Sequence, residues 1–171
     1  MDNKVIYTES VAEDCLELGN NLRADDVMEC QAAGFTGMKA LFNSFLHSKI
    51  CFSAKVNGKT EAMFGLSTEG QPDGFGLIWF LGSDECFKHP ISLVRDGRKV
   101  INTWLKDFKM LFNFVDERNT QHIAWLKHLG FTFSGYRYFN NYRFLLFFKI
   151  LTILSNWLSP SPSIITSKNS Q

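Results

Sequence analysis

Between Met110 and Phe139 the chain reads as a strand, a short helix and a second strand, and this order restricts the fold more than any other feature. "MLFNFV" and "FTFSGYRYF" are strand-length runs rich in aromatic residues. Between them, "NTQHIAWLKHLGF" carries a start and a stop signal. Asn119 can accept bonds from the free amides of a first helical turn, and Gly130 can take the left-handed conformation after the last one. Ile123, Leu126 and Leu129 recur at helical spacing and form one apolar face. Lys127 and His128 place positive character in the last turn, where the helix dipole favours it. A short amphipathic helix between two strands is a crossover packed on a sheet.

The remaining elements build around that unit. "KVIYTES" reads as a first strand over Lys4 to Thr8, with Ser10 capping a helix through "VAEDCLELGNNLR". "ADDVMECQAAG" follows, with Asp25 or Asp26 as a cap and Gly34 as a stop. Met38, Leu41, Phe42, Phe45 and Leu46 then give "TGMKALFNSFLHS" one apolar face. Asn57–Gly58 is a hairpin signal between two strand-like runs. "FGLIWFLGS" is an unbroken apolar run, expected as a central strand buried on both faces. "DECFKHP" is expected as a loop closed by Pro90, and "ISLVRDGRKVINTWLKDF" as a long helix despite Gly97. "NN" turns the chain from "FTFSGYRYF" into a last strand, "YRFLLFFKI". The expected fold class is α+β, with a mixed, mostly antiparallel central sheet and flanking helices.

Residues 1–150 are expected as one domain, and 151–171 as a C-terminal extension that begins as a short packed segment and ends as a disordered Pro/Ser-rich tail. The stretch from Phe144 to Leu158 is interrupted by polar residues and falls short of the roughly 18 apolar residues that cross a bilayer. Peripheral membrane contact by this segment stays open. A net charge of +1 and the lack of a Lys/Arg run argue against nucleic acid as a partner. Met1 to Ser10 lacks an apolar core of the signal-peptide kind, so a cytoplasmic protein is expected. Cys15, Cys30, Cys51 and Cys86 show no metal-ligand spacing, so they are expected as reduced core thiols and no metal is expected.

Asn119, Ile123 and the closing Leu-Gly-Phe, entered from a strand, resemble the closing half of the GNAT acyltransferase fold. That resemblance implies a sheet splayed between its fourth and fifth strands, here "GFGLIWFLGS" and "MLFNFV", with acetyl-CoA in the splay and Asn119 at the cofactor. A narrower resemblance covers roughly Val5 to Phe148 and rests on "LRADDVMECQAAG", "IWFLGSDE" and "LFNFVDERNTQHIAWLKHLGF". It is to the Gp13-type internal virion protein A family of short-tailed bacteriophages and prophages, and its first segment holds an Arg-x-x-Asp-x-x-Glu pattern at Arg23, Asp26 and Glu29.

Two departures bear on activity. GNAT enzymes usually open the helix after the fourth strand with a Gly-rich turn that cradles pyrophosphate; here "LGSDECFKHPISLVRDGRK" occupies that place, with Asp84 and Glu85. The Tyr that in many such enzymes protonates the departing thiolate is replaced by Leu126, and Tyr136, Tyr138 and Tyr142 lie further on. Candidate cofactor contacts are Ser83, Arg95, Arg98 and Asn119. Candidate general bases are Glu85, His89 and His122, with Asp84 placed similarly. The expected function is that of a phage or prophage GNAT-fold protein that works without catalysis in virion assembly. It would meet other phage structural or assembly proteins in the host cytoplasm or the virion interior. The alternatives are an acetyl-CoA-dependent N-acyltransferase and a CoA-binding pseudoenzyme.

Overall fold

The computed structural model describes residues 5–88 and 90–151; the expectations for His89 and for the segment beyond Leu151 lie outside the described residues. Seven strands form one mixed sheet: β1 (Val5–Glu9), β2 (Ile50–Val56), β3 (Lys59–Ser67), β4 (Phe75–Gly82), β5 (Met110–Asp116), β6 (Thr132–Phe139) and β7 (Tyr142–Ile150). Their order across the sheet is β1-β2-β3-β4-β5-β7-β6. Every pairing is antiparallel except that of β4 with β5. The helices are α1 (Ala12–Gly19), α2 (Ala24–Ala32), α3 (Gly37–Leu46), α4 (Asp84–Phe87), α5 (Pro90–Trp104) and α6 (Thr120–His128).

The hairpin signal is used as expected. Asn57 and Gly58 both have positive φ, 51° and 80°, which a two-residue turn between twisted strands requires. The sheet carries a core on each face. On one side Cys15 and Leu18 of α1 and Leu41 of α3 close on Met63. On the other, Ile101 and Trp104 of α5 and Leu126 of α6 pack with Leu66, Ile78, Leu111, Val115 and Phe147. Gly97 has a packing reason. A Cβ there would stand 3.0 Å from Leu129 and 3.4 Å from Trp125, so glycine lets α5 settle against α6. Arg98 then donates to the carbonyl of His128 at 2.7 Å and closes the C-terminal end of α6.

Three local expectations are corrected. Ser10 does not cap α1: its hydroxyl meets that of Ser53, and the Asp14 carboxylate accepts the Val11 amide at 3.1 Å. Arg23, not Asp25 or Asp26, is the N-cap residue of α2, because Asp26 is turned inward. "DECF" is a helical turn rather than loop, because the Ser83 hydroxyl accepts the Glu85 amide. In addition, β4 is only half-buried from Trp79 to Leu81, since it loses its β5 neighbour there. No helix among the described residues is long and apolar enough to cross a membrane.

Asp14 ties α1 to the sheet. It is buried and accepts from the Ser53 and Thr60 hydroxyls, while the Lys55 ammonium lies 2.7 Å away. Desolvation pushes its acidity down, but these bonds outweigh that and hold its pKa below the usual carboxylate value. Replacement Asp14→Ala strands those donors, so a loss of roughly 3 kcal/mol is expected. Urea unfolding would show it as a lower midpoint at unchanged slope.

Candidate functional site

The sheet opens where β4 leaves β5. The two strands pair at Phe75–Met110, Gly76–Leu111 and Leu77–Phe112, and then diverge. At the fork, the Asn113 side chain takes the place of a strand neighbour and donates to the Ile78 carbonyl at 2.7 Å. A cavity of about 380 Å3 is lined by both strands beyond the fork, by Ile78 to Leu81 of β4 and by Asn113 and Phe114 of β5. Its walls are aromatic and aliphatic, including Phe80, Trp104, Phe114, Trp125 and Phe139, and Glu29 and His122 are among the few polar side chains that reach it.

Helix α2 spans the open end of the fork. Arg23, Asp26 and Glu29 stand three residues apart and share one helix face. Toward β4, the Arg23 amide donates to the Gly82 carbonyl at 3.0 Å, and the Gly82 amide donates to Asp26 Oδ2 at 2.9 Å. Toward β5 and α6, Arg23 donates to Gln121 Oε1 at 2.7 Å and to Asn119 Oδ1 at 2.8 Å. Asn119 Nδ2 donates to Glu29 Oε2 at 2.6 Å. Within α2, Arg23 Nη2 meets Asp26 Oδ1 at 2.7 Å, and the guanidinium lies 4.1 Å above the Phe87 ring. Arg23, Asp26 and Asn119 are 2%, 1% and 0% exposed, so both arms of the fork are tied to a shielded ion pair.

The enclosed surroundings shift two titrations. Burial lifts the Glu29 carboxyl to about 8 against the opposing bond from Asn119, and the neighbouring charge of Asp26 adds to the lift. Burial lowers His122 to about 4, and its Nδ1 has no hydrogen-bond partner among the described residues. The ring packs instead on Phe80 and Trp125, with centroids 5.9 and 5.4 Å away. Asp26, Glu29 and His122 bring one possible ligand atom each within 4.8 Å of one another. Arg23 already supplies the positive charge at Asp26. Cys30 and Cys86 also line the cavity, but burial raises both thiols to about 12, so neither is a nucleophile at neutral pH.

The residues selected from the sequence are dispersed. Asn119 caps α6 by accepting the His122 amide, and its remaining polar atoms are spent on Arg23, Asp26 and Glu29. Ser83 is buried, donating its hydroxyl to Glu61 and capping α4. Arg95 pairs with Asp96 on the outside of α5, and Arg98 caps α6, so neither reaches the cavity. Glu85 faces Lys88 at 2.6 Å. Asp84 and Glu85 belong to α4, in the segment that precedes α5, and the first turn of α5 carries no acid. Tyr136, Tyr138 and Tyr142 are exposed and outside the cavity; Leu126 is buried in its wall. Of the three candidate bases, His122 alone lines the cavity among the described residues. Glu29 lines the cavity without being among the candidates the sequence singles out, although its helical spacing from Arg23 and Asp26 is a legible signal.

No protein-family model and no curated protein matches the chain. Solved structures do. The aminoglycoside acetyltransferase AAC(6')-Ib in complex with ribostamycin and coenzyme A has a TM-score of 0.67 at 12% identity, over 92% of this chain and 99% of that one. A GNAT-family acetyltransferase from Bacillus anthracis has a TM-score of 0.65 at 10% identity, over 86% and 95%. One from Streptococcus pneumoniae has a TM-score of 0.58 at 13% identity, over 86% and 99%. The fold is therefore that of the GNAT acetyltransferases. The narrower likeness to the Gp13-type family gains no support from these structures.

Two outcomes test the site. Arg23→Met leaves Asp26 buried without its counter-charge and is expected to cost about 3–5 kcal/mol. The double variant Arg23→Met/Asp26→Asn should lose clearly less than the single changes summed, read by urea unfolding. For pH, Glu29 keeps its proton in the fold up to about 8, while the unfolded chain releases it near 4.5. Stability should therefore fall as pH rises through that range, by at most about 1.4 kcal/mol per pH unit. His122 acts in the opposite sense: the fold keeps the ring neutral to about 4 and the unfolded chain protonates it near 6.5, so stability falls as pH drops between those values. The interval from pH 6.5 to 8 belongs to Glu29 of the two, and Glu29→Gln should flatten the slope of melting temperature there.

Proposed function

We propose that the protein binds acetyl-CoA in the fork between β4 and β5 and transfers its acyl group to an amine. The observation that carries this reading is the fork itself: two parallel strands that pair over three residue pairs and then part, with residues of both lining one cavity. The structural neighbours whose names include coenzyme A or acetyl-CoA support it.

The free edge of β4 suits an extended arm that carries amides. The Ile78 carbonyl is bonded to Asn113 and the Gly82 amide to Asp26, both on the cleft side. By the alternation of an antiparallel ladder, the amide and carbonyl of Phe80, midway between them, also face the cleft. A pantetheine arm would add there as a short strand. At the mouth, Ser92 and Leu93 of α5 line the cavity. The first-turn amides of that helix have no intrahelical acceptors, and the turn itself contains no acid, which suits a pyrophosphate. In this arrangement Ser83, Arg95, Arg98 and Asn119 shape the surroundings without touching the cofactor.

A second reading follows from Asn119 and Leu126. Asn119 is consumed inside the protein and Leu126 has no proton to donate. On that reading the fold serves without turnover, as a CoA-binding pseudoenzyme or through contact with phage assembly proteins of the kind the Gp13-type resemblance implies.

Titration with acetyl-CoA tests the main reading. Ligand at 100 times its dissociation constant should add about 2.7 kcal/mol and raise the melting temperature by roughly 5–10 °C. Ser92→Glu, which puts a negative charge where the phosphates would lie, should weaken binding at least tenfold and leave the unliganded melting point in place. No shift with millimolar acetyl-CoA would overturn the proposal. Binding with no turnover on any amine would favour the second reading.

A further inference from the structure

Among the described residues that line the cavity, one carboxyl is left without a counter-charge. Asp26 faces Arg23, Asp116 faces Arg118 at 2.9 Å, and Asp96 faces Arg95 and Lys99. Glu61 accepts the Ser83 hydroxyl and lies within the electrostatic reach of Lys88. Among the described residues Glu29 has neither a cation nor a hydroxyl as its partner. Its partners among the described residues are the Asn119 amide and the backbone of Asp116, and Arg23 is spent on Asp26, Asn119 and Gln121. Without a counter-charge this carboxyl holds its proton to about 8. A buried carboxylate becomes favourable when an opposite charge arrives beside it.

The walls define the rest of the ligand. Phe80, Phe114, Trp125 and Phe139 line the same cavity as Glu29 and offer flat apolar contact; the other acids of that lining are Glu61 and Asp96. An amine with several charged groups would bring charge against these rings at a desolvation cost, since Glu61 is already engaged by Ser83 and Asp96 by Arg95 and Lys99. An amine with one charge and an apolar body satisfies both features.

We infer that the acceptor this cleft takes is a primary amine on an apolar, ring-bearing body, with its ammonium received by Glu29. This rests on the acyl-transfer reading for its chemistry. The bound ammonium gives one proton to Glu29. The freed nitrogen lone pair forms the C–N bond to the thioester carbonyl, and the C–S bond breaks with its electron pair on sulfur. The second nitrogen proton neutralises that thiolate, so amide and free thiol leave and Glu29 returns its proton to solvent. Asn119 acts as a positioning residue, holding Glu29 Oε2 at 2.6 Å from a helix end that cannot shift without breaking the α2 cluster.

Calorimetric titration of the full chain with phenethylamine, phenethyl alcohol and kanamycin at pH 7 tests this. Phenethylamine is expected to bind at least tenfold more tightly than the alcohol of the same shape, and more tightly than kanamycin. Its heat should vary with the ionisation enthalpy of the buffer, because Glu29 sheds a proton as the ammonium docks. Glu29→Gln should remove both the preference and the buffer dependence. Equal binding of amine and alcohol, tighter binding of kanamycin, or an unaltered Glu29→Gln titration would overturn the inference. Acetyl-CoA titrated in parallel separates the two readings. Amine binding without acetyl-CoA binding would overturn acyl transfer and uphold the amine site; the reverse would overturn the amine site and leave acyl transfer standing.

Discussion

The ion pair of Arg23 and Asp26 joins the two halves of the sheet. A parted pair of strands is unfavourable, because backbone groups lose their ladder partners and apolar side chains lose their neighbours. Here α2 lies over the gap and bonds to both sides. Gly82 of β4 is gripped through its amide and its carbonyl, while Asn119 and Gln121 at the start of α6 are gripped through Arg23. Arg23, Asp26 and Asn119 are buried, so each must find its partner inside the protein, and few arrangements of the arms satisfy all three at once. The width of the fork follows from that requirement.

An opening held in this way has two consequences for chemistry. The free edge of β4 presents backbone groups to whatever enters, and the enclosed walls make any charge inside them strongly dependent on a partner. Glu29 experiences the second effect most directly. It shares a helix face with Arg23 and Asp26, but the counter-charge stops one turn short of it. The geometry that stabilises the cluster also leaves one carboxyl protonated and waiting for a cation. His122, one turn into α6, is pushed the other way by the same burial and stays neutral against Phe80 and Trp125.

Several side chains with a plausible functional chemistry serve structural ends. Arg98 looks like a phosphate ligand in a linear reading, yet it closes α6 through the His128 carbonyl, and Gly97 beside it permits the approach that brings that carbonyl within reach. Ser83 caps a helical turn that the sequence reads as loop. These side chains are typical of sites, but local bonds reach them first, and a donor already bonded inside the protein is not available to a ligand without a cost.

What the sequence by itself determined is local and periodic. The Asn57–Gly58 turn, the crossover helix between Asn119 and Gly130, the strand runs and the faces of α3 and α6 all depend on neighbours within a few residues, where backbone sterics and side-chain spacing are decisive. Even the helical spacing of Arg23, Asp26 and Glu29 could be read there. The tertiary structure alone decided what that spacing is for. Asn119 lies far along the chain from α2, and no local rule says that its amide will choose Glu29, that Arg23 will be drawn to Asp26 and Asn119, or that Glu29 will be left without a cation. Those outcomes depend on which charges share a water-free space, and burial is a property of the assembled chain.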